Sequence, residues 1–513
     1  MATNKLNWHY FSSSLEMPKP TYSSYSLSCW IFLRLLGVAY GAAFFSMSGQ
    51  ILGLIGENGI VPAECLLELL QAQLGPERFG VIPTLFWLNC SDGFLQLLCI
   101  AGGVLALLVV LGIYTGPALA LLWLFYLSIV NVGQEFLSFQ WDILLLETGF
   151  LAIFLAPWQA LEPPWQMARF KAASPAPSMI VIWLLRWLLF RLMFESGMVK
   201  LASGDPTWAS LTALNYHYFT QPLPTTLAWY AQQLPEWFQK LSVGGVFFIE
   251  LLMPFLIFTP RLLRHLGAAA LIFLQVLIAS TGNYAFFNLL TVALCFLLLD
   301  DQLLSKLLPQ FLVARICADC QPRWPLARRA ISIAVAVFIG LLSIGNFGNR
   351  SLTPMFLQVF LEPTERYYFF NSYGLFAVMT TTRMEIEVEG SNDQKVWQAY
   401  EFKYKPGDLH TAPVLVAPHQ PRLDWQMWFA ALSDWRSTPW FPNFISRLLQ
   451  GSPDVLRLLK TNPFPLAPPK YIRAELYSYT FTDPAEKSKT GNWWQRRYAG
   501  EYMPMISLRS KRE

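Results

Sequence analysis

The sequence predicts a polytopic α-helical membrane protein, with about nine transmembrane helices, followed by a β-rich external domain. Of its 513 residues, 54% are hydrophobic and only 14% are charged, whereas soluble domains carry about 25% charged residues. The charges are also unevenly placed, since 20 Lys/Arg and 16 Asp/Glu follow position 349 and only 17 of each precede it. The last third is therefore composed like a soluble domain, and the rest like a membrane domain.

Three regions follow from this composition. Residues 1–26 are polar and lack the basic, apolar and small-residue segments of a cleaved signal peptide, so the first span is expected to act as the signal anchor. Residues 27–348 form the predicted transmembrane domain, and residues 349–513 form the predicted external domain.

Apolar runs of about 17 to 25 residues have the length that crosses a bilayer as a helix. Nine runs are predicted spans, at 28–54, 91–113, 116–134, 141–157, 179–199, 242–260, 266–281, 284–300 and 329–345. Few residues separate the second run from the third, or the seventh from the eighth. Each of these pairs is therefore expected to form a helical hairpin.

Basic residues in short loops indicate the cytoplasmic side, because Lys and Arg resist translocation. With the N-terminus inside, the predicted internal loops contain Arg169, Lys171, Arg261, Arg264, Lys306, Arg315, Arg323, Arg328 and Arg329. The predicted external loops are mainly acidic, with Glu57, Glu64, Glu68, Glu77 and Glu135. An odd number of spans then places the C-terminal domain in a lumen or periplasm.

The C-terminal domain contains segments that alternate between apolar and charged residues, as half-buried strands do. MEIEVEG and YEFKYK are predicted to pair as an antiparallel hairpin, with Glu385, Glu387 and Glu389 exposed opposite Lys403 and Lys405. YIRAELYSYTF predicts another strand, and FISRLLQ and DVLRLLK predict short amphipathic helices. The mixed charges are those of an ordinary solvated surface, so no nucleic-acid partner is expected.

Cysteine and histidine spacing predicts no metal site and no cofactor. Cys317 and Cys320 form a CADC segment that fits half a zinc site or a redox pair. No second such pair and no nearby histidine accompany them, which favours two reduced cysteines without a special role. The five histidines show no HxxxH or HExxH spacing.

Charged residues are costly inside a membrane and tend to pair within the bundle. Four cations oppose four anions in or beside the predicted spans, namely Arg34, Arg186, Arg191 and Lys200 against Asp142, Glu147, Glu195 and Glu250. One interpretation is a network that fixes how the fourth, fifth and sixth spans pack. The alternatives are charges that reach the interface without a special role, and a desolvated Lys200 that acts as a base with Glu195, Asp205 and His217 around it.

The segment after Lys200 is too polar to span a membrane and rich in aromatic residues, which suits an interface. Residues 201–241 form an external loop that is long for a simple connection, so a packed surface element is expected.

Several long blocks of the sequence resemble the lipase maturation factor family: WDILLLETGFLAIFLAPW (141–158), RLMFESGMVKLASGDPTW with LNYHYFTQPLPTTLAWY (191–230), FNSYGLFAVMTTTRMEIEVEGS (370–391) and WWQRRYAGEYMP (493–504). The resemblance implies a multi-pass protein of the endoplasmic reticulum whose lumenal C-terminal domain helps secreted lipases to fold and assemble. A bacterial homologue would lie in the inner membrane instead.

A shorter resemblance points in another direction. SGMVKLASGDPTW (196–208) is similar to the segment of vitamin K-dependent gamma-carboxylase that contains its catalytic lysine, with Lys200 at the matching place. Shared chemistry does not follow from a shared scaffold. The resemblance to the carboxylase implies an alternative function, a membrane enzyme that acts on a lipid or a lipid-soluble cofactor with Lys200 as base.

The first hypothesis is thus a non-enzymatic maturation factor with two partners, the lipid bilayer and a secreted client protein. Tryptophan is enriched at binding hot spots. The candidate client contacts are Trp425, Trp428, Trp493 and Trp494, with Trp435 and Trp440 as further candidates. The alternative for most of these residues is a position in the core or at the membrane interface.

Overall fold

The computed structural model describes residues 25–158, 176–317, 326–347 and 364–508. Its membrane domain is built from nine main helices: α1 Ser26–Ser48, α2 Asp92–Leu111, α3 Thr115–Val132, α4 Gln140–Leu155, α5 Met179–Ala202, α6 Glu236–Phe247, α7 Arg261–Thr281, α8 Phe287–Phe296 and α9 Leu326–Phe347. Each predicted span thus corresponds to a helix, and the helices pack around one apolar core.

The helices differ in how well they suit a membrane. Among the described residues, six helical segments are long and apolar enough to cross one, or seven if α8 and the bent segment after it count as one span. Helix α4 has only 16 residues, and α5 carries four charged side chains along its 24 residues. The protein is therefore a multi-pass membrane protein in which two of the predicted spans lie mostly inside the bundle.

The eighth predicted span, 284–300, is not one straight helix. Helix α8 ends at Phe296, and the next helix, Asp301–Leu307, is bent from it by 114°. Asp300 caps that next helix by accepting a hydrogen bond from the Leu303 amide at 3.0 Å. A side-chain cap starts a new helix at this point, and hydropathy alone does not detect such a cap.

Helix α6 changes its winding in the middle of the membrane domain. After Phe247 the chain continues as a π-helical turn over Phe248–Leu252 and a 3-10 helix over Met253–Phe258. Pro254 lies at the start of the 3-10 segment, where its missing N–H prevents regular α-helical bonding. The π turn contains Glu250, and such turns often mark functional positions in helices.

The hairpin predicted between the second and third spans is present. Helix α2 ends at Gly112, whose φ of +84° is left-handed and whose N–H bonds to the carbonyl oxygen of Leu108. Tyr114, also left-handed at φ 46°, precedes α3. Two left-handed residues thus reverse the chain between adjacent helices.

The loops predicted to be external all meet the C-terminal domain at one end of the bundle. They contribute the carbonyl groups of Asn58, Glu135 and Thr220, which accept hydrogen bonds from Ser452, Gln426 and Trp428 of that domain. Asn283, between α7 and α8, donates to the carbonyl of Val414 at 2.8 Å. The loops that charge placement assigns to one side of the membrane thus lie together at one end of the helix bundle.

The C-terminal domain is built on a four-stranded antiparallel sheet in the order β2-β1-β3-β4. Its strands are β1 Arg383–Ser391, β2 Gln398–Ala399, β3 Tyr471–Phe481 and β4 Trp494–Ile506. The predicted strand YIRAELYSYTF is β3. Two short helices, α10 Arg422–Ala430 and α11 Trp440–Gln450, cover the sheet, and α11 buries its apolar side as its sequence pattern predicts.

The predicted hairpin of β1 with residues 400–405 is wrong in two respects. Strand β2 contains only Gln398 and Ala399, and the long partner of β1 is β3, whose paired residues lie 80 to 96 positions later in the chain. Glu385, expected to be exposed, is buried beside Arg383 and Lys405. Local alternation identifies a strand, but it does not identify the partner that covers each face.

The loop 201–241, predicted to be external, is packed. It contains three short helices, Pro206–Ala209, Leu214–Thr220 and Thr226–Gln232. Residues 1–24, Cys320 and the side chain of Cys317 lie outside the described part of the chain.

Candidate functional site

The best-defined cluster of charged residues lies where the membrane helices meet the loop and the C-terminal domain. Lys200, in the last turn of α5, bonds through its Nζ atom to Glu250 Oε2 at 2.7 Å and to the carbonyl of Ser196 at 2.9 Å. Both charged side chains are buried, at 6% and 7% exposure. The Lys200 ammonium therefore already has an anionic partner. This is the arrangement of a structural ion pair and not of a free amine base.

A second buried pair joins α5 to α4. Arg191 bonds to Glu147, and not to Glu195 one turn further along its own helix. Glu147 also accepts hydrogen bonds at 2.9 Å from the backbone and side-chain amides of Asn371 and from the Tyr373 hydroxyl. Glu195 accepts the Tyr373 backbone N–H at 2.8 Å. Both carboxylates therefore hold the segment that leads into the C-terminal domain.

A third buried pair crosses from the membrane domain to the C-terminal domain. Arg422, at the start of α10, forms two parallel hydrogen bonds to Asp142 of α4, at 2.8 and 2.9 Å. The Tyr126 hydroxyl also donates to Asp142. Sequence reasoning missed Arg422, because it sought partners for Asp142 only within the membrane domain. The available signal was Arg422 itself, a charge flanked by apolar and aromatic residues.

The other two predicted network members are placed differently. Arg186 donates to the carbonyl of Leu297 at 2.8 and 3.1 Å, beside the bend after α8. The Arg34 guanidinium lies 5.1 Å from the ring centre of Trp30. The eight predicted residues thus do not form one network. Three of the anions are in separate ion pairs, and the partner of Asp142 is Arg422 of the C-terminal domain.

Asp205 and His217 lie in the loop after α5 and have separate contacts. Asp205 caps the Pro206–Ala209 helix and accepts the Met379 backbone N–H at 2.6 Å. His217 Nε2 lies 3.3 Å from the Tyr284 hydroxyl, while its Nδ1 is buried without a hydrogen-bond partner among the described residues. Burial, and then the charge of Lys200, lowers the pKa of His217 to about 4. The imidazole is therefore neutral at physiological pH.

A cavity of about 100 Å³ lies between α5, the π turn, α7, α8 and the chain at 375–379. Its walls are mostly apolar, and its polar lining comes from Ser196, Lys200, His217, Glu250, Gln275, Tyr284 and Asn288. Of the four residues predicted as a catalytic group, the structure brings Lys200 and His217 to this cavity, whereas Glu195 and Asp205 do not line it. An apolar cavity with a few convergent polar groups is the usual form of a small-molecule site.

A cluster of charged residues in the C-terminal domain connects the loop 201–241 to the sheet. Arg383 and Lys405 both bond to Glu385, and all three are buried. The Arg383 guanidinium also donates to three loop carbonyl groups, those of Phe219, Gln221 and Pro222. Burial of Glu385 is thus balanced by two cations, one of which fixes the loop.

The tryptophans predicted to contact a client are mostly in the core. Trp425, Trp428 and Trp494 are 4%, 8% and 1% exposed, so they cannot serve as surface contacts. Trp493 is half-buried, with its ring 5.5 Å from that of Trp229 and 3.5 Å from the Lys487 ammonium. The two further candidates are also placed in this domain, Trp440 buried and Trp435 half-buried. The buried tryptophan side chains pack between the sheet, the helices and the loop.

Within the described residues, no group of three or more His, Cys, Asp or Glu side chains could hold a metal ion.

Comparison with known proteins gives two family matches. Residues 27–306 match the lipase maturation factor transmembrane domain, and residues 369–504 match the lipase maturation factor C-terminal domain. No solved structure matches the chain.

Similar proteins come from several vertebrates. Lipase maturation factor 2 of Gallus gallus is 39% identical, over 93% of this chain and 81% of that protein. Lipase maturation factor 2 of Homo sapiens is 37% identical, over 93% and 82%. Lipase maturation factor 1 of Mus musculus is 35% identical, over 94% and 88%. Because both domain matches and these identities extend over most of its length, this chain belongs to the lipase maturation factor family.

Proposed function

We propose that this chain is a membrane-anchored maturation factor that helps secreted lipases to reach their folded, active form. The observation that carries the proposal is the family membership, since the relatives at 35–39% identity are named lipase maturation factors over nearly the whole chain. The buried ion pairs support it, because Arg422 and Asp142 join the C-terminal domain to the membrane domain and Lys200 is already paired with Glu250.

We place the C-terminal domain in the lumen of the endoplasmic reticulum and the N-terminus in the cytoplasm. The acidic loops that lie beside the C-terminal domain support this side, because Lys and Arg are retained in the cytoplasm. Secreted proteins fold in that lumen, so a client would meet the C-terminal domain and the loop 201–241 there.

The client surface is proposed to include Trp493. This residue is half-buried and packs against the buried loop residue Trp229, so a client docking there would contact Trp493, whose ring Trp229 supports from behind. A partly exposed tryptophan on a rigid support is a typical binding hot spot.

A cell-based rescue experiment tests this function. Cells without their own lipase maturation factors express a secreted lipase with or without this chain, and the medium is assayed for lipase activity per unit of lipase protein. We expect this chain to raise specific activity several-fold, and Trp493→Ala to lower it. Trp397→Ala is the matched control, because Trp397 is also half-buried under a cation, Arg473, but lies away from the loop. Unchanged lipase activity with the chain present at a normal membrane level would contradict the proposal.

A further inference from the structure

The cavity beside Lys200 has unused hydrogen-bonding capacity. A lysine ammonium has three N–H groups, and two of them are taken by Glu250 Oε2 and the carbonyl of Ser196. Among the described residues, Glu250 bonds only through Oε2, so its Oε1 has no hydrogen-bond partner. The third N–H of Lys200 has no hydrogen-bond acceptor either, and its Nζ lies 5.6 Å from the centre of the Trp208 ring. One donor and one acceptor therefore remain on two adjacent buried side chains that both line the cavity.

The cavity is close to electrically neutral. Lys200 and Glu250 cancel each other, and no other lining residue is charged while His217 is neutral. An anionic ligand would have to compete with Glu250 for Lys200, and a cationic one would have to compete with Lys200. Since burying an unpaired charge is costly, the cavity is suited to a neutral ligand.

We propose that this cavity binds the hydroxyl-bearing head of a neutral single-chain lipid, such as a monoacylglycerol, with the acyl chain leaving between the helices. A hydroxyl group both accepts and donates, so it can take the free N–H of Lys200 and give its proton to Glu250 Oε1. An ester or ketone oxygen can only accept, and leaves Glu250 without a partner.

The size and walls of the cavity agree with this ligand. Its volume of about 100 Å³ is well above the roughly 10–15 Å³ that one water molecule needs by the same kind of measure. It is well below the roughly 300–1,000 Å³ of pockets that enclose a whole drug-sized ligand, so it fits part of a lipid. Apolar side chains such as Leu192, Ile278 and Phe287 complete the walls and suit the start of a hydrocarbon chain.

Photolabelling with three matched probes tests the proposal on the full-length protein in phosphatidylcholine vesicles. The probes share one acyl chain with a diazirine and differ in the head: a glycerol ester, a methyl ester and a free acid. We expect the glycerol ester to label the peptides around Ser196, Val246 and Ile278 about fivefold more than either other probe, which corresponds to about 1 kcal/mol for one hydrogen bond. Unlabelled monoacylglycerol is expected to compete.

Two valine substitutions show whether the cavity is the binding site. Val246 lines the cavity, and Val246→Phe is expected to reduce glycerol-ester labelling about tenfold by filling it. Val276→Phe is the control, because Val276 is 53% exposed on α7 and lies outside the cavity. Equal labelling of the two variants would show that the cavity is not the binding site.

Equal labelling of the wild type by the glycerol ester and the methyl ester would show that the hydroxyl group is not recognised, and this comparison needs no variant. Labelling without competition, as expected for a cavity that holds only water, also overturns the proposal.

Discussion

At the residue scale, three buried ion pairs hold the two domains and the central helices together. Arg191–Glu147 and Lys200–Glu250 link α5 to its neighbours, and Arg422–Asp142 links the C-terminal domain to α4. Such pairs add little net stability over apolar side chains, but removing one partner leaves a buried charge without compensation. They therefore determine which surfaces can pack against each other.

Replacement of Arg422 tests this role. Arg422→Met leaves Asp142 fully buried and unpaired, so we expect a loss of about 3–5 kcal/mol in the free energy of unfolding. Unfolding of the purified protein in detergent measures the loss. The double variant Arg422→Met with Asp142→Leu is expected to recover much of it. Arg436→Met removes an exposed pair with Asp434 and an exposed contact with the Trp435 ring, and should cost about 0–1 kcal/mol. Equal losses in the single and double variants would contradict this account.

Asp424 makes stability depend on pH. Burial raises the pKa of this carboxyl to about 6 in the folded protein, although its Oδ1 accepts the backbone N–H groups of Tyr404 and Lys405 at 2.8 and 2.9 Å. The folded state then binds the proton more tightly than the unfolded state, whose pKa is near 3.8. The contribution of Asp424 to the free energy of unfolding therefore falls as pH rises from about 4 to about 6, by roughly 1.4 kcal/mol per unit of pKa difference.

The variant Asp424→Asn isolates this effect. Its amide oxygen can accept the same two backbone N–H groups, but it cannot ionise. We expect the variant and the wild type to unfold at similar temperatures near pH 4, and the variant to be the more stable of the two at pH 7. A constant difference in unfolding temperature across this range would be evidence against the raised pKa.

At the element scale, local exceptions to regular helix and strand geometry position the site. The π turn carries Glu250 to Lys200, and the bend after α8 exposes the Leu297 carbonyl to Arg186. The segment at 371–373, held by Glu147 and Glu195, connects the helices to β1. Each exception arises where a proline, a cap or a charged contact competes with regular backbone bonding.

The turn between α2 and α3 provides a test at this scale. Gly112→Ala places a side chain in a left-handed conformation, and the new Cβ would lie 2.2 Å from a guanidinium nitrogen of Arg34. We expect a loss of about 1–2 kcal/mol in the free energy of unfolding. Gly93→Ala, in the first turn of α2, meets no atom within 4 Å and should be neutral or slightly stabilising. Equal effects of the two alanines would show that the turn geometry is not required.

At the scale of the whole molecule, all loops predicted to be external meet the C-terminal domain, and Arg261 and Asp300 pair at the opposite end of the bundle. This separation is what an integral membrane protein needs, because each end must face one aqueous compartment. The structure establishes the relative placement of the two ends, and the excess of basic residues predicts which end is cytoplasmic.

Glycosylation reporters test that orientation. Ser488→Asn creates an acceptor site with Lys489 and Thr490 at the end of the exposed helix Pro484–Thr490 of the C-terminal domain. Leu6→Thr completes an acceptor site that begins at Asn4 in the N-terminal region. Expressed in animal cells, only the Ser488→Asn protein is expected to gain a glycan that a glycosidase removes. A glycan on the Leu6→Thr protein instead would show that the N-terminus is lumenal and that the proposed orientation is wrong.

The sequence by itself determined the features that depend on neighbouring residues. Hydropathy over about 20 residues located the helices α1 to α9 of the membrane domain, because the bilayer imposes that length on most of them. Alternation and helical periodicity located β1, β3 and α11, and the long matching blocks indicated the family.

Only the tertiary structure decided which distant groups meet. Asp142 pairs with Arg422, which is 280 residues away, and Glu385 is buried by Arg383 and Lys405 instead of facing water. Three of the four tryptophans chosen as contacts lie in the core. Partner choice depends on the packing of elements that are distant in the chain, where the cost of an unpaired buried charge selects one arrangement. Local sequence patterns contain no information about that competition.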